Sequence, residues 1–270
     1  METRSNRRRP AALTVAGSDS GAGAGIQADL KVFAAYGLHG LSAITAVTAQ
    51  NSRGVDSSHP LPALQLRNQL HSLFADFDIR AVKIGMLGSA ANVAAVSEVL
   101  QSKRARNIVL DPVLASSGGA SLLSRAGTAR LRRDLLPLVD VLTPNIPEAG
   151  LLLKRSLSDA PSRRQAAQAL RELGPQAVLL KGGHGHGRSV VDYLADADGI
   201  AVFRHRRQPF TAHGTGCALS SAIAAGLASG WSLRNSVSAA QGFLQRALRL
   251  SYRSGRSPVR TLTIEPLYDR

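Results

Sequence analysis

The sequence predicts an α/β protein, a three-layer α/β/α sandwich around a central, mostly parallel sheet. Three observations lead there: short apolar runs recur along the 270 residues, amphipathic stretches separate them, and polar or Gly-rich groups follow the runs where strands would end. Such alternation selects parallel strands joined by crossover helices that cover both sheet faces. The strand-like runs are residues 11–16, 42–48, 81–84, 107–110, 139–143 and 177–180. Between them, residues 26–36, 62–77, 90–103, 124–135, 146–153 and 162–173 place apolar side chains at helical spacing. Ligands gather at the carboxyl ends of parallel strands. The groups expected at those ends are Gly17-Ser18-Asp19, Gln50-Asn51, Gly85-Met86, Asp111-Pro112, Pro144-Asn145 and Lys181-Gly182-Gly183.

Residues 211–225 carry the first functional signal, because a turn almost without side chains, His213-Gly214-Thr215-Gly216-Cys217, runs directly into an Ala-rich helix. Gly214 and Gly216 let the main chain bend and approach a ligand closely. The first-turn N–H groups lack partners inside the helix, and the helix dipole adds roughly half a positive charge at the same place. A phosphate suits that spot, and negative charge developing in phosphoryl transfer would be stabilised there. A Gly-X-Gly turn also serves simply to pack a strand against a helix. A second Gly-rich turn, Gly17 to Gly25, again lies between a strand-like and a helix-like run. Its spacing misses the dinucleotide fingerprint, and the chain has no Gly-Lys-Ser/Thr P-loop. Kinase chemistry without either motif is the expectation.

With 44% hydrophobic residues the chain can bury one large core. A single domain is expected over residues 11–270, after a basic, loose tail at residues 1–10. The formal charge of +15 raises nucleic-acid binding as a rival. Against it, the arginines are scattered, aromatic residues make up only 4%, and aromatic and basic residues do not interleave. Arginine-rich composition, with no specific nucleic-acid partner, is the preferred reading. No apolar run approaches the roughly 20 residues of a membrane helix, and no secretory apolar segment follows the N-terminal arginines. A cytoplasmic protein without membrane association is expected. The single cysteine, Cys217, excludes an intramolecular disulfide and a cysteine-cluster metal site.

Seven ordered motifs then carry a resemblance over nearly the whole chain: Ala16-Gly-Ser-Asp-Ser with Ala24-Gly-Ile-Gln-Ala-Asp-Leu-Lys31, Thr45-Ala-Val-Thr-Ala-Gln-Asn51, Lys83-Ile-Gly-Met-Leu87, Asp111-Pro-Val113, Thr143-Pro-Asn-Ile-Pro-Glu148, Lys181-Gly-Gly-His184 and His213-Gly-Thr-Gly-Cys217. In these the chain resembles the hydroxymethylpyrimidine/phosphomethylpyrimidine kinases of thiamine biosynthesis, in the ribokinase-like superfamily. The resemblance implies ATP and a small pyrimidine alcohol lying head to head along the strand ends and meeting at Gly214, Thr215, Gly216 and Cys217. It also implies a homodimer.

Each implied role has a chemical reason. Gln50 both donates and accepts, so it can read an aminopyrimidine edge, with Gly17 and the Val113 backbone adding polar contacts and Met86 and Val113 forming apolar walls. Asp29 faces the substrate by family likeness, against the plainer reading of a surface helical acid. Lys181, on a flexible Gly182-Gly183 segment, brings positive charge to the ATP phosphates. Asn145 and Glu148 sit three apart at a helix start and can hold hydrated Mg²⁺, with Asp111 as a further carboxylate; Glu148 is equally good capping chemistry.

Cys217 stands where most sugar kinases of the superfamily place an Asp. A thiol at a helix N-terminus near cations has its pKa lowered, so a fraction could act as a base, although a loose phosphoryl-transfer transition state asks little of one. His213, His184 and His186 read as loop residues rather than a metal site, with residues 182–187 and 116–119 as mobile covers. The chain departs from the family pattern at Ser20-Gly21-Ala22-Gly23, at Ala218 and at Ser254-Gly255-Arg256-Ser257-Pro258. Two alternatives stay open: a pyridoxal or vitamin B6 kinase on the same fold, and a catalytically idle ligand sensor.

Overall fold

In the computed structural model, residues 9–115, 119, 121–184 and 187–267 are described. Most of the basic tail, most of 116–119 and His186 lie outside them.

β1 (Ala11–Asp19) lies third from one edge of a nine-stranded sheet and is followed by α1 (Gly25–Ala35), β2 (His39–Asn51) and β3 (Gly54–Pro60). Next come α2 (Ala63–Asp76), β4 (Ile79–Ile84), α3 (Ala90–Ser102) and β5 (Ile108–Leu110). The chain continues through α4 (Arg125–Arg130), a wider turn at Leu131–Leu135, β6 (Val141–Leu142), α5 (Ile146–Leu153), α6 (Ala160–Arg171) and β7 (Ala177–Leu180). β8 (Ser189–Asp196) and β9 (Gly199–Arg206) complete the sheet, in the order β3-β2-β1-β4-β5-β6-β7-β8-β9. The core from β2 to β7 is parallel, whereas β3, β8 and β9 pair antiparallel at the two edges. A small pair, β10 (Ala212–His213) with β11 (Arg260–Thr261), flanks α7 (Thr215–Ala228) and α8 (Leu233–Arg249).

Alternate residues of each strand feed two separate cores. Leu13, Val82, Leu110 and Val178 meet α2, α3, α5 and α6 on one face. Ala12, Ala81, Val109 and Ala177 meet α1, α7 and α8 on the other. The expected sandwich is therefore present. The sheet reverses its winding at β1, which has β2 on one side and β4 on the other, and such a switch point opens a crevice at the strand carboxyl ends.

α7 explains why the crevice has a fixed floor. Ala218, Ala222, Ala224, Ala225 and Ala228 are all buried, and a helix that is apolar all round belongs inside. It is held between the sheet and α8, and its short side chains let it lie close to β1, β4 and β5. The N-terminus of α7 thus points at the switch point. Among the described residues, no helix is long and apolar enough to cross a membrane.

Candidate active site

Gly214 begins the site by conformation. It caps α7 at φ +78, in the left-handed region that only glycine enters freely, and a Cβ there would collide with the Gly23 carbonyl. The two Gly-rich turns of the sequence therefore touch. Ala218 N–H closes the first helical bond, to Gly214 O at 2.9 Å. The amides of Thr215, Gly216 and Cys217 precede that ladder and lie in a partly open turn. Three donors and the positive end of a buried helix dipole converge there.

Beside this turn, the strand ends deliver charge. Lys181, just after β7, anchors its amide on Pro144 O at 2.9 Å and reaches Asp111 Oδ1 with Nζ at 2.7 Å. A Cβ on Gly216 would sit 3.0 Å from Asp111 Oδ2 and 3.2 Å from Lys181 Nζ. Lys181, Asp111 and the amide turn are therefore one cluster. Burial alone would lower the Lys181 pKa, but the Asp111 and Glu148 carboxylates reverse the effect and hold it above its usual value. Burial pushes Glu148 up to about 7; Lys181 opposes the rise and Asp111 adds to it.

At the other end of the crevice, Met86 lies against Gly17, its sulfur 3.4 Å from where a Cβ would be. Gln50 is half-buried and touches His213, Nε2 to Nε2 at 2.8 Å. Val113 follows Asp111 at the end of β5 and is partly exposed, but its N–H is spent on Asp111 O at 2.8 Å. The Val113 carbonyl is then the backbone group left to make the expected polar contact.

Residues 19–261 match the family model for phosphomethylpyrimidine kinase. The chain belongs to that family. A hydroxymethylpyrimidine/phosphomethylpyrimidine kinase of Rhizobium meliloti is 44% identical over 92% of this chain and 95% of its own length. A thiamine biosynthesis bifunctional protein of Geobacter sulfurreducens is also 44% identical, over 98% of this chain, and the chain spans 56% of that longer protein. Among solved structures, the pyridoxal kinase of Staphylococcus aureus in complex with ADP superposes with TM-score 0.88 at 30% identity, covering 96% of this chain and 95% of that one.

Within this family member, three expectations change. Asp29 is fully buried and does not open onto the crevice. Its carboxylate accepts from Thr14 Oγ1 at 2.6 Å, Ser221 Oγ at 2.7 Å and Lys83 Nζ at 2.8 and 2.9 Å. Three donor groups making four hydrogen bonds saturate it. Cys217 also differs: burial pushes its thiol up to about 11, the Lys83 ammonium works against the rise, and the Asp29 and Asp111 carboxylates add to it. The thiol is protonated at neutral pH, because loss of hydration outweighs the dipole and the cation. Finally, Gly182 is not a flexible spacer; its N–H donates to buried Asp192 Oδ1 at 2.7 Å, and only Gly183 is exposed.

Asn145 and Glu148 form a reciprocal capping box, each side chain accepting the other's amide at 2.8 Å. The Asn145 carbonyl and Glu148 Oε2 thus have a structural task at the start of α5. Among the described residues, no group of three or more His, Cys, Asp or Glu side chains could hold a metal ion.

Sequence reasoning missed the partners of these groups. Asp19 gathers the first Gly-rich loop, Asp192 ties Gly182 to Gln241, and Lys83 pairs with Asp29. A lysine between the buried Val82 and Ile84 of β4 was the available signal for the last. His213, read as a loop residue, belongs to the crevice instead, while His184 stays exposed.

Proposed function

We propose that the protein transfers the γ-phosphoryl group of ATP to the hydroxymethyl oxygen of 4-amino-5-hydroxymethyl-2-methylpyrimidine, and then phosphorylates the resulting monophosphate to the diphosphate. One observation carries this reading: the Lys181–Asp111 pair at 2.7 Å lies beside an amide turn that Gly216 keeps open. The amides of Thr215, Gly216 and Cys217 hold the equatorial oxygens of the travelling phosphoryl group. Lys181, already charged, turns from Asp111 to phosphate when the nucleotide arrives. Alignment and charge stabilisation supply the catalysis, so the alcohol needs no strong base. The high thiol pKa of Cys217 agrees with that demand.

Mg²⁺ fits the carboxylates rather than a closed protein cage. Asp111 Oδ2 faces the Gly216 turn and Glu148 keeps Oε1 outside the capping box, an arrangement suited to a hydrated ion that also takes phosphate oxygens. When bound, the ion neutralises phosphate charge. Gln50 reads the pyrimidine edge between Gly17, Met86 and Val113.

A second reading, phosphorylation of pyridoxal, is favoured by the backbone match to a pyridoxal kinase at TM-score 0.88. Backbone shape does not select the ring, and the 44% identity to the Rhizobium kinase favours the pyrimidine. Purified protein with Mg·ATP is given either alcohol, and products are resolved as mono- and diphosphate. Mono- and diphosphate of the pyrimidine are expected at rates well above pyridoxal phosphate. Faster turnover of pyridoxal, or none of either by folded protein, overturns the proposal. Light scattering tests the homodimer that family likeness implies.

A further inference from the structure

His213 and Gln50 are 163 residues apart in sequence, yet their Nε2 atoms meet at 2.8 Å. The same ring nitrogen stands 3.3 Å from Asp19 Oδ2. A neutral imidazole nitrogen either accepts or donates, so these cannot both be hydrogen bonds. Asp19 resolves the choice. Its Oδ1 accepts from Gly21 N–H at 2.8 Å, and its Oδ2 from Ala24 N–H at 2.8 Å and Gly23 N–H at 3.1 Å, so the carboxylate, which burial would raise but His213 and the Gly21 and Ala24 amides hold below its usual pKa, has three donors nearer than the ring. The Gln50 nitrogen can only donate. The shorter contact is therefore the bond, with His213 Nε2 as acceptor and the ring proton on Nδ1.

With its nitrogen toward the ring, as the structure places it, the Gln50 amide is held one way round by His213. A free carboxamide turns over easily and exchanges its donor for its acceptor. Here one N–H is held by His213, which leaves the second N–H and Oε1 for a ligand. Thr48 Oγ1 is 3.4 Å from Oε1, but its single hydrogen goes to Ser18 O at 2.9 Å. An acceptor beside a donor complements an amidine edge, in which an exocyclic amine donates and the adjacent ring nitrogen accepts. An aminopyrimidine has that edge; a hydroxypyridine such as pyridoxal has no amine next to its ring nitrogen.

We infer that His213 is a positioning residue for specificity, holding the Gln50 amide in the orientation that selects an aminopyrimidine ring over a hydroxypyridine. The fold places it firmly: β10 carries His213 over Gly23, where a Cβ would lie 2.6 Å from the ring carbon Cδ2, so only glycine leaves room for the imidazole. The inference rests on Gln50 as the reader of the substrate, as proposed above.

The test compares His213→Leu, which keeps bulk and loses the acceptor, with His213→Gln, whose carbonyl can still accept from Gln50. Should His213→Leu fail to fold, His213→Asn, too short to reach, replaces it. Losing one orienting hydrogen bond is expected to raise KM for the pyrimidine alcohol about tenfold and to narrow the preference over pyridoxal by a similar factor. KM for ATP stays put, and His213→Gln recovers most of the loss. In a Gln50→Ala background, His213→Leu adds nothing further. Additive losses in that background, or equal damage from Leu and Gln in both KM values, overturn the inference while the wild type remains active. A wild type that turns over no pyrimidine alcohol defeats the functional reading, and this inference with it.

Discussion

Lys181 Nζ meets Asp111 Oδ1 at 2.7 Å across 70 residues of sequence, and the pair lies against Gly216. An ammonium already ionised and only 13% exposed suits the proposed phosphate contact, because little solvent must be displaced when the charge arrives. Lys181→Met is therefore expected to lower kcat by about 100- to 1000-fold. Steady-state assays at saturating ATP check this; a change of only a few fold would remove Lys181 from the chemistry.

The α7 turn separates backbone from side chain. Gly216→Val would push a branched side chain at Asp111 Oδ2 and Lys181 Nζ, 3.0 and 3.2 Å from the Cβ position, and is expected to abolish turnover while α7 stays folded. Cys217→Ser is expected to keep measurable activity, within about tenfold of the wild type. Its rate profile between neutral and mildly alkaline pH should match that of the wild type, since a thiol near 11 is not the titrating base. Equal loss in both variants would contradict this ranking.

How far the sequence disclosed this site depended on where each signal was local. β1, β4, β7 and the helices between them were legible because their faces are buried and their periodicity is undiluted. β3 was not, since Gly54-Val-Asp-Ser-Ser-His-Pro60 is a polar edge held by pairing with β2. β8 and β9 follow a Gly-rich stretch and are joined by a two-residue turn at Ala197-Asp198, outside the β-α rhythm. In the site, Gly214, Gly216 and Lys181 could be read from turn chemistry and the scarcity of lysine. The depth of Asp29 could not, because it is set by Thr14, Lys83 and Ser221 arriving from three other elements. The same long-range burial, invisible in a helix-start motif, reversed the expected pKa shift of Cys217.

Glu148 makes stability depend on pH. Its folded pKa is raised to about 7, chiefly by burial, from an unfolded value near 4.3. The native state therefore holds a proton that the unfolded chain has lost, so the contribution is full below the unfolded pKa and fades as pH rises through the folded one. Glu148→Gln keeps an acceptor for the Asn145 amide and removes the charge. Above pH 7 it is expected to raise stability by on the order of 2 kcal/mol, or about 4–8 °C in Tm, while reducing activity. Melting curves at acidic and alkaline pH check this; an unchanged gap between variant and wild type across that range would refute it.

The Lys83–Asp29 pair is inaccessible on both sides, and it joins β4 to α1 while Thr14 and Ser221 tie in β1 and α7. All four elements that carry the crevice floor meet at one carboxylate. Lys83→Met would strand the Asp29 charge with only two hydroxyls, a loss expected to cost about 3–5 kcal/mol. Adding Asp29→Asn removes the stranded charge while leaving a carbonyl for one of the two hydroxyls and an N–H for the other to accept, so the double variant should be more stable than Lys83→Met alone. Urea unfolding of the two variants gives the comparison. A double variant as unstable as the sum of the single changes would mean that the two charges act independently, and that packing around them, rather than their pairing, holds α1 and α7 together.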